Sequence, residues 1–117
     1  MRETKPFYPI GKTIKVAADT TAPSGVATVV PNNKVAQYCQ YRVQNNGTVT
    51  VFYSFGVDAS TAQANAVIPT GAGASSKDSY PLSAGGVEVI SAPRNSFFSA
   101  ITASSTASVY VTPGEGV

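Results

Sequence analysis

The feature that most constrains this chain is its supply of β-branched side chains. Fifteen Val, five Ile and twelve Thr stand against one Leu, one Met and three Glu. Branching at Cβ stiffens χ1, crowds the preceding turn of a helix and packs well on a pleated surface. With the strong helix formers so scarce, the expected fold class is all-β. The length of 117 residues suits one domain, because two halves would each bury too little surface to stand alone.

Turn residues divide the chain into short runs. Residues 1–11 read as an extended N-terminal arm, since Pro6 and Pro9 bracket Phe7 and Tyr8 and push their neighbours toward extended backbone. Strand patterns follow at 12–16 and 26–30, and then at 38–43, where Cys39, Tyr41 and Val43 alternate with Tyr38, Gln40 and Arg42. Asn45-Asn46-Gly47 predicts a hairpin turn, with a return strand over 48–55 that puts Val49, Val51 and Tyr53 on one face. Residues 56–86 are rich in Gly, Ala, Ser and Thr and read as a long loop holding one short strand near 65–69. A strand at 87–91 and a last hairpin, 97–103 with 107–112, complete the pattern.

About seven or eight short strands separated by turns predict a two-layer antiparallel β-sandwich, jelly-roll-like, over residues 12–117. The expected core is Cys39, Tyr41, Val43, Val49, Val51, Tyr53, Val87, Val89, Val109 and Val111.

Chemistry is limited by what is missing. The chain has no His and one Cys, so it offers no imidazole base, no Ser-His or Cys-His dyad and no thiolate metal cage. The three Asp and three Glu are isolated in sequence, with no calcium-loop spacing, and Gly71-Ala72-Gly73 opens no helix that could cradle a phosphate. The expectation is a protein that is not an enzyme and has no cofactor, metal or small-molecule substrate. Asn46-Gly47-Thr48 matches a glycosylation sequon but reads as a turn, and Cys39 reads as a core thiol.

Only 12% of residues are charged, about half the usual share. A surface built from hydroxyls, amides and small residues repels its neighbours weakly, which suits permanent packing in an assembly. A net charge of +2 is too small to suggest nucleic acid. Its distribution is uneven: Arg2, Lys5, Lys12 and Lys15 against Glu3 put residues 1–15 at +3, leaving the remainder at −1. No apolar run approaches the length of a membrane span, and MRETKPFYPI lacks the apolar stretch of a signal peptide, so synthesis in a cytoplasm is expected.

Two stretches, YRVQNNGTVTVFYSFG (41–56) and ITASSTASVYVTPGEG (101–116), resemble small proteins encoded among the structural genes of tailed bacteriophages. A turn like that at 81–85 lies between them in the same pattern. The resemblance covers about residues 38–116 and implies a virion setting, with capsid decoration or cement proteins as the nearest type. Adaptors and fibre components also occur in that group, so the resemblance does not fix the position in the virion. The reading taken is attachment to the outside of a head, with a major capsid protein as partner and a homo-oligomer on the lattice as a further association. The arm lies outside the resemblance. From its residues alone, Arg2, Lys5, Phe7, Tyr8, Ile10 and Lys12 are the candidate partner-binding set: adjacent aromatics stiffened by prolines and flanked by cations. The alternative is a sandwich module of a phage fibre or tail that binds carbohydrate or a host surface, for which Tyr38, Tyr80 and Tyr110 are the available rings.

Overall fold

A computed structural model describes residues 6–29, 38–74 and 77–115. Arg2 and Lys5 of the candidate set lie outside these residues. The elements in chain order are β1 (Tyr8–Pro9), β2 (Ile14–Ala18), β3 (Val26–Ala27), β4 (Tyr38–Asn45), β5 (Val51–Gly56), α1 (Ala59–Asn65), β6 (Tyr80–Leu82), β7 (Val87–Pro93), β8 (Phe97–Thr102) and β9 (Ala107–Glu115). One sheet runs β1-β9-β4-β7 with β2 also on β9, and the other runs β3-β8-β5-β6. All the strand pairs are antiparallel, as the β-branched composition predicts for a two-layer sandwich.

The order of pairing is that of a jelly roll. Strands β2 to β5 pair with β9 to β6 in nested fashion: β2 with β9, β3 with β8, β4 with β7 and β5 with β6. Contacts β4 with β9 and β5 with β8 then close the two sheets. Such a winding leaves one inner face on each sheet, and the inner faces supply the core. Val16, Tyr41, Val43, Val109 and Val111 come from the first sheet, and Val51, Tyr53, Leu82, Phe98 and Ala100 from the second.

Both expected hairpins turn out to be arches. Strands β4 and β5 lie in different sheets, and so do β8 and β9. A type I′ turn needs positive φ at both central residues. Outside glycine, the described residues adopt it only at Asn95 and Ser105, and Gly47 is not among the positive-φ glycines. Gly47 is required for closeness instead, since a Cβ there would lie 2.5 Å from Cβ of Ala107. The side chain of Asn45, fully buried, shapes this arch. Its amide donates to the carbonyls of Val49 (2.8 Å), Leu82 (3.0 Å) and Ser83 (3.2 Å), while its Oδ1 accepts from the Gly47 N–H at 3.0 Å.

Two further expectations need correction. Residues 56–86 hold no strand at 65–69; α1 occupies the start of the segment. Asp58 caps it, accepting from the Thr61 N–H at 2.7 Å, which with the Thr61 hydroxyl holds the carboxyl below its usual range. Ala62 of the helix and Ala66 at its C-cap are buried, and Gly25 and Gly56 leave room for the helix to approach. On β7 the faces are exchanged. Val87 is exposed and Val89 half-buried, whereas Ile90 and Ala92 pack on the core, in register with Tyr41 and Cys39. The valines at 87 and 89 gave the stronger apolar alternation, but the register to β4 decides which face turns inward. Val49 is half-buried against the core; the other seven expected core residues are buried.

Candidate interaction surface

The arm is not separate from the sandwich over its described part. Tyr8 and Pro9 pair with Glu115 and Gly114, extending the β9 ladder, and the N–H groups of Ile10 and Gly11 both donate to the Pro113 carbonyl. The prolines explain why the segment is extended. Glycine explains why it fits: the ring of Phe7 and the Tyr8 carbonyl occupy the place a Cβ at 114 would take. Ile10 packs against the core and Phe7 is half-buried. Of the described candidate residues, only Tyr8 and Lys12 remain exposed. The Tyr8 hydroxyl donates to Glu115 at 2.7 Å, and that bond to a carboxylate holds the phenol above its usual range.

Pairing register gathers other residues at the same end of the jelly roll. Gln40 opposes Gly114, and Tyr38, two residues earlier on β4, opposes Pro93. Lys12 bridges to Val29, and the neighbouring Thr28 N–H donates to the Ser96 carbonyl. Beside them Phe55, Gly56, Val57, Pro93, Arg94, Asn95 and Ser96 line a cleft of about 300 Å³. This end therefore carries Tyr8, Val29, Tyr38 and Val57, four of the six exposed large apolar side chains among the described residues. Val57 is 83% exposed. Lone exposed apolar residues need no explanation, but a cluster at one end marks a surface that another molecule covers.

Sequence reasoning found Tyr8 and Lys12 here but missed Val29 and Val57. The local signal at Val57 was available: a large apolar residue between Gly56 and the helix cap Asp58 has no strand to bury it. Tyr38 was legible as an outward residue of β4, while its neighbours came only with the fold.

A second groove, of about 210 Å³, lies beyond Phe55 and Pro93 and is lined by Asn65, Asp78, Tyr80, Ile90, Ser91 and Ala92 as well. Tyr80 stands at its wall, 5.8 Å from the ring of Tyr53. Tyr38, Tyr80 and Tyr110 do not form one aromatic platform: Tyr80 is in the second sheet, while Tyr38 and Tyr110 lie toward opposite ends of the first. Cys39 is buried, and that burial raises its thiol pKa, which disfavours the thiolate. Among the described residues no group of three or more Cys, Asp or Glu side chains gathers to hold a metal ion. Compared with family models, with curated proteins and with solved structures, the chain finds no match.

Proposed function

We propose that this chain is a bacteriophage virion structural protein, a capsid decoration or cement protein that binds the major capsid protein from outside through the end of the jelly roll where β1 pairs with the last residues of β9. The observation that carries this reading is the presence of Tyr8, Val29, Tyr38 and Val57, with Lys12 bridged to Val29, at that end. A non-catalytic reading fits a chain without histidine, and the low charge suits a surface that spends its time against others. The jelly roll is a fold of viral capsid domains, although a fold alone does not decide a function. The resemblance of residues 41–56 and 101–116 to phage structural proteins supports the virion setting.

The geometry changes which residues grip. Phe7 and Ile10 are committed to their own sandwich, so the contact passes to Tyr8, Lys12, Val29, Tyr38 and Val57. An interface of standard size buries roughly 800 Å² per partner, which one end of a small domain supplies only if loops contribute. The test is co-sedimentation of the purified protein with empty capsids of its own phage. Val57→Asp and Tyr38→Asp should abolish binding, while Thr106→Asp at the far end should not. Equal binding by all three variants would sink the assignment.

The second reading is a carbohydrate-binding module of a fibre or tail. It is favoured by the groove at Tyr80, where Asp78 and Asn65 stand beside an aromatic ring. Binding to a glycan panel that Tyr80→Ala removes, with no capsid binding, would decide for it.

A further inference from the structure

Every open sheet has edges, and natural sandwiches blunt them with short strands, prolines or charges. Most edges here are blunted in that way. Strands β1 and β3 have two residues each, β6 has three with Pro81 in the middle, and β2 has five and presents Lys15. Strand β7 is the exception. It runs for seven residues, with a proline only at its last position, and it contains no cation. Its one charge, Glu88, is engaged with the Tyr53 hydroxyl of the other sheet. Among the described residues no strand pairs with its outer edge.

Two hydrogen bonds show which groups that edge presents. The Asn45 N–H donates to the Gly86 carbonyl at the β7 side, and the Asn46 N–H donates to Ser108 on β9. Along an antiparallel pair the pattern alternates, so residues 88, 90 and 92 turn their N–H and C=O toward β4. Residues 87, 89, 91 and 93 turn theirs away. Pro93 falls in the outward set, where its missing N–H leaves no gap in the ladder to β4. Among the described residues, the outward groups of Val87, Val89 and Ser91 are therefore a row of three donors and three acceptors that no strand uses.

We infer that the β7 edge pairs with the β7 edge of a second copy, antiparallel about a two-fold axis through Val89. In that register Val89 opposes Val89 of the second copy, and Val87 opposes Ser91 in both directions. All three donors and all three acceptors of each edge are then satisfied. A register centred on Ser91 instead would set Val89 against Pro93 and waste an acceptor on each side. The centring on Val89 also places Glu88 opposite Ile90, so no carboxylate directly faces another. It covers the stripe of Val87, which is 46% exposed, and Val89 on the outer face. A contact of this kind is self-complementary and closes at two copies. It uses a different surface from the end proposed to grip a capsid, so failure of capsid binding leaves it standing.

The test is the solution mass of the full chain by sedimentation equilibrium over a concentration series, with three substitutions. The native chain should dimerise reversibly. Val89→Lys and Ser91→Lys put cations on the outer face of the pairing strand and should weaken association at least about tenfold, with circular dichroism unchanged. Opposed residues of a hydrogen-bonded pair have Cα atoms about 5.5 Å apart, within disulfide reach. Val89→Cys should therefore cross-link two copies on mild oxidation while Val87→Cys should not, the buried Cys39 being shielded from exchange. A native chain that stays monomeric at every concentration would overturn the inference. So would Val87→Cys cross-linking as readily as Val89→Cys.

Discussion

The hydroxyl of Tyr53 on β5 donates to the carboxylate of Glu88 on β7, linking one sheet to the other beside the unpaired edge. The ring below that hydroxyl is fully buried, stacked on Phe98 with centroids 5.4 Å apart and edge-on to Phe55 at 6.2 Å. An apolar body and a polar tip thus serve different layers of the fold. This arrangement allows the two contributions to be separated by substitution.

Tyr53→Phe keeps the ring and removes the bond to Glu88. The carboxylate is exposed and regains water, so the loss should be about 0.5–1.5 kcal/mol, the net worth of a single hydrogen bond. Tyr53→Ala also removes the ring from the aromatic cluster and should cost about 3–5 kcal/mol. Urea denaturation of both variants checks the ratio. A Phe variant as unstable as the Ala variant would mean that the hydroxyl, not the ring, holds the sheets.

Alkaline pH should destabilise the fold through two tyrosines. Burial raises the Tyr41 hydroxyl to about 12, with the Cys39 side chain adding to the rise. Burial pushes Tyr53 further in the same direction, helped by the bond to Glu88. Both groups stay neutral in the fold while an unfolded chain ionises near pH 10. Their contribution is complete below pH 10 and is lost as pH rises from there through the folded values. The buried Cys39 thiol, also raised by burial, acts in the same direction from the unfolded thiol value of about 8.5. Thermal midpoints should accordingly be level up to about pH 8, fall gently above it and steeply beyond about pH 10, and phenolate absorbance for these two rings should appear with unfolding. Ionisation of all six tyrosines near pH 10 with the fold intact would contradict the burial.

The Asn45 amide spans the arch between β4 and β5 and the turn before β7, and removing it leaves the Val49, Leu82 and Ser83 carbonyls without that donor. Asn45→Ala should cost about 2–4 kcal/mol, because buried acceptors deprived of partners carry their desolvation cost. Gly47→Ala should cost about 1–3 kcal/mol by pressing on Ala107. If residues 45–47 acted through turn conformation alone, Asn45→Asp would be tolerated. With three carbonyls facing the side chain, it should be as damaging as Asn45→Ala in chemical denaturation.

These residues also show how far the sequence could be read. Alternation over 38–43 located the inward face of β4 because period-two patterning is a local property. Asn45-Asn46-Gly47 was just as visible, yet its role was not. A hairpin and an arch start from the same residues, and only the nested pairing of distant strands tells them apart. The exchanged faces of β7 have the same origin, since Val87 and Val89 outscore Ile90 and Ala92 locally. The helix Ala59–Asn65, capped by Asp58, was not read from the sequence, because it is too short to stand out from a small-residue loop without β5 beneath it. At the candidate surface, sequence pointed to the arm and could not show that β9 returns to hold it.

That return of β9 makes the last prediction. A free arm could be removed without consequence for the sandwich. Here deletion of residues 1–11 strips the partner from Glu115 and Gly114, two N–H donors from the Pro113 carbonyl and the packing of Ile10 from the core. Partial burial of one Ile and a few ladder bonds together predict a loss of about 1–3 kcal/mol. The denaturation midpoint should drop while the slope and the β-rich circular dichroism persist, since the eight jelly-roll strands remain. Capsid attachment by the truncated chain would then confound grip with stability. Tyr8→Ala and Lys12→Ala avoid this, because neither side chain is buried and β1 can still pair through its backbone. A deletion that leaves the midpoint unchanged would show that β1 lies on β9 without strengthening it, returning the arm to the role of a free ligand.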